Sequence, residues 1–189
     1  MNYRQLLIAT LTLLFLSGCA KVMYSVQGDK PIEESDSRTF GEVIDDNALE
    51  TQIKVSILQA DNALHDARIR VFSYHGKVLI VGQVPSEALK NKVTTAAKTL
   101  SKVKSIHNEL TLGENIGVNI RASDSWLATK VKSRMFTTDN FPSRKIDIVT
   151  EDGVIFLMGI VDKNTAIQAG KIASEVNGVQ KVVTLFEHP

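Results

Sequence analysis

The strongest constraint on this chain is that most of its sequence is written twice. Asp46 through Lys54 aligns with Asp124 through Lys132, with Asp, Leu, Thr and Lys coinciding and Ile53 facing Val131. Asp61-Asn62 lies over Asp139-Asn140 and, after a one-residue gap, Ile69-Arg70-Val71 over Ile146-Asp147-Ile148. Gly76 to Gly82 then matches Gly153 to Gly159, two glycines enclosing the same apolar run. Val103 and Ile106 correspond to Val179 and Val182. A repeat at this period fixes the architecture before any single element is assigned: two copies of one small domain.

Each copy reads the same way. Leu49, Ile53 and Ile57 step by four, as do Leu127, Val131 and Met135, which predicts a helix with one apolar stripe. Asp46 and Asp124 stand where an N-cap is expected. An alternating segment from Ile69 to Tyr74 predicts a strand, and His75-Gly76 or Asp152-Gly153 turns the chain. The runs Val78–Val84 and Val154–Val161 are continuously apolar, as in a central strand buried on both faces. Ser86 and Asp162 open a second helix, and a last strand covers Val103–Leu112 and Val179–Phe186. The order α-β-β-α-β predicts an α+β fold, in each copy a three-stranded mixed sheet with two helices on one face. A core built from about seventy residues is marginal, so each copy needs a second layer.

Before the repeat stands an export signal. Arg4 and the initiator amine make a positive start, and Leu6 to Leu16 is almost uninterruptedly apolar. As a helix that run spans about 16 Å at roughly 1.5 Å per residue, too short for a hydrocarbon core of about 30 Å. Leu16-Ser17-Gly18-Cys19 resembles the lipobox of bacterial lipoproteins. Cys19 is the only cysteine in the chain, so it has no intramolecular disulfide partner, and lipidation consumes a thiol otherwise exposed to an oxidising compartment. The expectation is a signal peptide over 1–18 and a covalent diacylglycerol and N-acyl chain on Cys19, with no other cofactor. Ala20 stands where an inner-membrane retention signal places Asp. By that sorting rule the destination is the outer membrane, facing the periplasm. Residues 19–44, with Gln27 to Pro31 and Glu33 to Ser37 rich in turn formers and acids, read as a flexible tether with a typical reach of roughly 25–30 Å. The domains are then 45–113 and 123–187, joined by a linker over 114–122.

The element order, the Gly-apolar-Gly segments at Gly76–Gly82 and Gly153–Gly159, and Asn177-Gly178-Val179 through Val182 resemble the BON domain, a bacterial module implicated in osmotic protection and phospholipid binding. The first copy carries Ser101-Lys102 where the second has Asn177-Gly178, and departs from the pattern there. A lipobox followed by two such copies is similar to the dual-BON outer-membrane lipoproteins. That resemblance implies a non-enzymatic role in outer-membrane integrity, recognition of anionic phospholipid by the second domain, and enrichment at the division site.

The residues give the lipid contact a location. The first helix of copy one carries Asp45, Asp46, Glu50 and Lys54 and is acidic, whereas its counterpart carries Lys130, Lys132 and Arg134 against Asp124. With Leu127, Val131 and Met135 facing inward, Trp126 and Lys130 point outward, and Lys132 and Arg134 flank the stripe on opposite sides, placed to snorkel. An outward Trp among bases suits a headgroup layer. The competing placement is Trp126 packed between the domains. Phe136 matches Leu58, apolar in both copies, and is expected in the core.

The remaining chemistry argues against an enzyme. His65, His75, His107 and His188 have no partners at metal-ligand spacing, and the glycines bracket a strand instead of a phosphate-binding turn. Glu33-Glu34 and Glu151-Asp152 read as solvated carboxylates of the tether and a turn. A net charge of +1 gives no footprint for nucleic acid. The partners expected are anionic phospholipids of the inner leaflet of the outer membrane. The rival reading is an adaptor for envelope assembly proteins, with Trp126 as an interface anchor.

Overall fold

The computed structural model describes residues 38–189; the segment read as a signal peptide, Cys19 and most of the segment read as tether lie outside the described residues. The elements follow the repeat: α1 (Phe40–Ala60), β1 (Arg68–Tyr74), β2 (Lys77–Val84), α2 (Glu87–Lys98) and β3 (Ser105–Leu112), then α3 (Val118–Thr137), β4 (Ile146–Glu151), β5 (Val154–Ile160), α4 (Lys163–Ser174) and β6 (Lys181–Glu187). Single 3-10 turns, Asn62–Leu64 and Ser143–Lys145, precede β1 and β4. Each copy is an α+β unit with a three-stranded mixed sheet, ordered β1-β2-β3 or β4-β5-β6. The hairpin pair is antiparallel and the crossover pair parallel.

Both hairpins turn on two residues of positive φ, His75 (52°) and Gly76 (79°), or Asp152 (48°) and Gly153 (73°). Such a turn matches the twist of the flanking strands. Ser86 and Asp162 cap α2 and α4 as expected, accepting from Leu89 N–H at 3.3 Å and from Asn164 and Thr165 N–H at 2.9 and 3.0 Å.

Asp46 and Asp124 are not N-caps. α1 starts at Phe40, inside the stretch read as tether, because Thr39 and Glu42 form a reciprocal capping box. α3 starts at Val118 after Gly117, inside the stretch read as linker. The two aspartates sit within their helices, buried, and hold the hairpins. Asp46 accepts from Ser73 Oγ (2.7 Å), His75 N–H (2.9 Å) and Gly76 N–H (3.1 Å). Asp124 accepts from Asp152 N–H (2.8 Å) and Gly153 N–H (2.9 Å). A turn with both central φ values positive presents two adjacent N–H groups, and a helix carboxylate one layer away satisfies them.

Burial opposes the charge on Asp46, but the donors from Ser73, His75, Gly76 and Arg38 outweigh it and hold its carboxyl below the usual range. A depressed folded pKa contributes stability that is present above the unfolded value and lost as pH falls through the folded one. Asp46→Asn is therefore expected to cost about 3 kcal/mol at neutral pH, and the gap to the parent should narrow on acidification. Urea unfolding at two pH values checks both.

Successive residues of the central strands face opposite layers. Val78 and Ile80 pack under α1 and α2 with Leu49, Ile53, Ile57, Val93 and Ala97. Ile155 and Leu157 do the same with Leu127, Val131, Met135, Ala169 and Ala173. The alternate residues Leu79, Val81, Phe156 and Met158 form a third cluster with Tyr74, Val149 and Leu185. The helices are each copy's second layer, and the other copy covers the remaining face: the helix-free faces of the two sheets pack on one another.

Polar groups close this seam. Glu151, expected to be solvated, is 6% exposed. It accepts from Arg68 (3.1 Å), Arg70 (3.1 Å) and Gln83 (3.0 Å), all of the first domain. It ends strand β4, where its side chain turns into the seam and meets two arginines of β1. Arg38 joins the seam too, donating to Asp46 at 2.9 Å, to the Ser73 carbonyl at 3.1 Å and to Asp147 of the second domain, with its guanidinium 4.1 Å from the Tyr74 ring centroid.

Candidate functional site

Helix α3 presents its stripe as expected, with Asp124, Leu127, Val131 and Met135 buried. Trp126 is 64% exposed on the opposite side, so it does not pack between the domains. Phe136 corrects an expectation: it is 70% exposed, and Leu58, its counterpart, is exposed as well. Met135 and Ile57 hold the inward positions in that turn, so the following residue is rotated outward by about 100°. Phe141, beyond the helix, belongs to the core.

The outer face of α3 is unusual in what it lacks. No acid occurs between Ser125 and Thr138. Three of its hydroxyl groups are used within the helix: Ser125 donates to Arg121 O at 3.0 Å, Thr129 to Ser125 O at 2.9 Å, and Thr137 to Ser133 O at 3.1 Å. Back-bonding of this kind spends the hydroxyl donor on the helix itself. The surface is thus two exposed aromatics on a bed of small side chains, flanked by bases.

The three bases divide between the flanks. Trp126, Lys130 and Arg134 line one groove with Glu175 and Asn177. Lys130 Nζ donates to the Asn177 carbonyl at 2.7 Å, and Arg134 pairs with Glu175 at 3.3 Å. Both cations remain solvent-accessible while being held in place. Lys132 lies on the other flank, its ammonium bonded to the Ser143 carbonyl (3.1 Å) and the Ile146 carbonyl (3.0 Å).

Asn177 and Glu175 were not legible as site residues. The only signal was the Asn177-Gly178 pair, where Gly178 takes a φ of 104° and brings the Asn177 carbonyl to Lys130. The first copy has Lys102 at the corresponding place, and it pairs with Asp45 at 2.9 Å. Its first helix also exposes Phe40, Ile44, Val55 and Leu58, but with Glu42, Asp45 and Glu50 on the same helix. The two outer helices are therefore both apolar and opposite in charge.

Among the described residues, no group of three or more His, Cys, Asp or Glu is placed to hold a metal ion. His75 stands 3.4 Å from Glu42 at the first hairpin turn. His107 is pushed below the usual imidazole range by burial and then by Lys77.

The family described as BON domain matches residues 45–114 and 123–187. The chain belongs to the BON domain family. Both BON domains carry the α-β-β-α-β order, and the Asn-Gly pair that positions Lys130 falls in the second. Over 175 residues the chain is 34% identical to the outer membrane lipoprotein DolP of Haemophilus influenzae, covering 93% of this chain and 91% of that protein. It is 32% identical over 153 residues to the 21 kDa hemolysin of Actinobacillus pleuropneumoniae, covering 81% and 79%. Osmotically-inducible protein Y of Escherichia coli is 28% identical over 152 residues, covering 79% and 75%.

Proposed function

We propose that this chain is a non-enzymatic lipoprotein, anchored through Cys19 in the outer membrane and facing the periplasm, whose second BON domain binds anionic phospholipid through the outer face of α3. The observation that carries the reading is Trp126, widely exposed, beside Lys130 and Arg134 on a helix face without acids. An indole prefers the interfacial layer, and each base near an anionic surface contributes on the order of 1 kcal/mol. The likeness to an outer membrane lipoprotein supports the location, and the family resemblance supports a role in envelope integrity at the division site.

The test uses the mature chain with Cys19→Ser. Combining Trp126→Ala with Lys130→Glu should weaken binding to phosphatidylglycerol vesicles by about thirtyfold or more, since the charge reversal alone is on the order of 2 kcal/mol. Unchanged binding refutes this face. Binding by the parent should also fall steeply with salt, because exposed charges are screened within about 10 Å at 0.1 M.

The adaptor reading is favoured by a different observation, the exposed apolar side chains of α1 among acids, a surface that an anionic membrane repels. A protein bound there would be recovered by crosslinking from Phe40 or Val55, whatever the lipid composition.

A further inference from the structure

The other flank of α3 borders a second groove, and this one lies where the two domains meet. Its volume is about 680 Å³, within the range of ligand pockets. Phe72 of the first domain and Ala128, Phe136, Ile148 and Val149 of the second give it an apolar lining. Its lining carries one base, Lys132, and one acid, Asp147. The Arg70 guanidinium near it stands 4.8 Å from the Phe72 ring centroid and is paired with Glu151. Asp147, the acid of the lining, is held by Arg38.

Two features say what this slot accepts. Thr129 and Ser133 line both this groove and the one at Trp126, so the slot is continuous with the surface proposed to meet lipid headgroups. Lys132, on the lining, is fixed by the Ser143 and Ile146 carbonyls at the edge of β4. An extended peptide added to the edge of β4 is disfavoured: the Ile146 carbonyl is taken by Lys132 and the Thr150 carbonyl by Arg70 at 3.0 Å, which blunts that edge. An apolar slot with Lys132 on its lining, continuous with the face of Lys130 and Arg134, suits the acyl chain of an amphiphile whose anionic headgroup lies on that face.

We infer that the seam slot receives an acyl chain of an anionic phospholipid, so that both BON domains contribute to one lipid site. The inference rests on the reading of α3 as the phospholipid-binding helix. It gives the first domain a direct part in recognition through Phe72, and it gives Phe136 a reason to be exposed beside Lys132. It also makes the docked pair of domains, and not the second domain alone, the binding unit.

The experiment uses the mature chain with Cys19→Ser and lysophosphatidylglycerol bearing a nitroxide near the end of its single chain, below its micelle concentration. Paramagnetic broadening should erase the methyl signals of Ile148 and Val149 and the ring signals of Phe72. Ala128→Leu fills the slot without touching Trp126, Lys130 or Arg134. In that variant the erased signals should return, while the headgroup-induced shifts at Trp126 and Lys130 persist. Broadening confined to the surroundings of Trp126, or unaffected by Ala128→Leu, overturns the slot and leaves the headgroup reading standing. No perturbation at either place overturns both. Broadening unchanged when the anionic headgroup is replaced by phosphocholine overturns the specificity for an anionic lipid.

Discussion

Met158→Asp is expected to separate the two domains and to cost at least about 4 kcal/mol of stability. Met158 is fully buried between the sheets, in one cluster with Leu79, Val81 and Phe156. A carboxylate there has no cation within the cluster, and burying an unpaired charge costs more than a domain of this size can spare. Either the group stays protonated or the faces part and admit water. Parting exposes a row of apolar side chains on each sheet, so the variant should bind a hydrophobic dye and lose cooperative unfolding. Urea denaturation followed by Trp126 fluorescence and by hydrogen exchange of β2 distinguishes the outcomes. In the parent both probes should report one transition, because the helix-free faces are each other's core. In the variant the second domain should unfold at lower urea than the parent, no longer coincident with the first.

The second large effect comes from a single methyl group. Gly82 has a φ of 127°, and a Cβ placed on it would lie 1.8 Å from the Arg68 carbonyl oxygen. Gly159 repeats the close approach, at 2.3 Å from the Lys145 carbonyl oxygen. These obstacles are backbone atoms at the start of the paired edge strand or just before it, so they cannot rotate away as a side chain could. Gly82→Ala must push β1 off β2, where Arg68 and Arg70 reach Glu151 across the seam. We expect a loss of more than about 3 kcal/mol, beyond the usual range for an overpacked site, and poor accumulation of folded protein. Gly41→Ala is the control. Nothing lies within 4 Å of a Cβ at Gly41, and in the first turn of α1 the substitution should be neutral or stabilising by up to about 1 kcal/mol. Circular-dichroism melts of the two variants should therefore move in opposite directions or differ by more than about 8 °C.

These expectations show where the sequence was readable. The Gly-apolar-Gly segment announced a central strand with both faces buried, and both faces are buried. What covers the second face was not readable, because Leu79, Val81, Phe156 and Met158 say only that they avoid water. Periodicity located the inward residues of α1 and α3 but not where these helices begin. Their first turns extend beyond the core, so Phe40 and Ile44, although four residues apart, are exposed and out of phase with the Leu49–Ile53–Ile57 stripe. The capping box at Thr39 and Glu42 was the available signal. Asp46 and Asp124 looked like caps because an acid ahead of an apolar stripe usually is one. Their service to a hairpin distant in sequence is a tertiary fact. Glu151 was misjudged for the same reason, since its partners Arg68, Arg70 and Gln83 all lie in the other copy.

The candidate site was more legible than its neighbourhood. Helical phase alone put Trp126 outward and the bases on two flanks. Phe136 was assigned inward because both copies are apolar there, yet an apolar residue shared by two outer helices also fits two interacting surfaces. Asn177 and Glu175, which position Lys130 and Arg134, approach α3 from the end of α4, a proximity no local pattern encodes.

The central claim is that the outer face of α3 lies in the interfacial layer of an anionic membrane. Trp126 is the only tryptophan in the chain, so its emission reports on that face without labelling. Phosphatidylglycerol vesicles added to the mature chain with Cys19→Ser should shift the emission to shorter wavelength. Bromine placed high on the acyl chains should quench it more strongly than bromine placed deep, and salt should reverse both effects. An emission spectrum that stays in place while the vesicles bind would contradict the account.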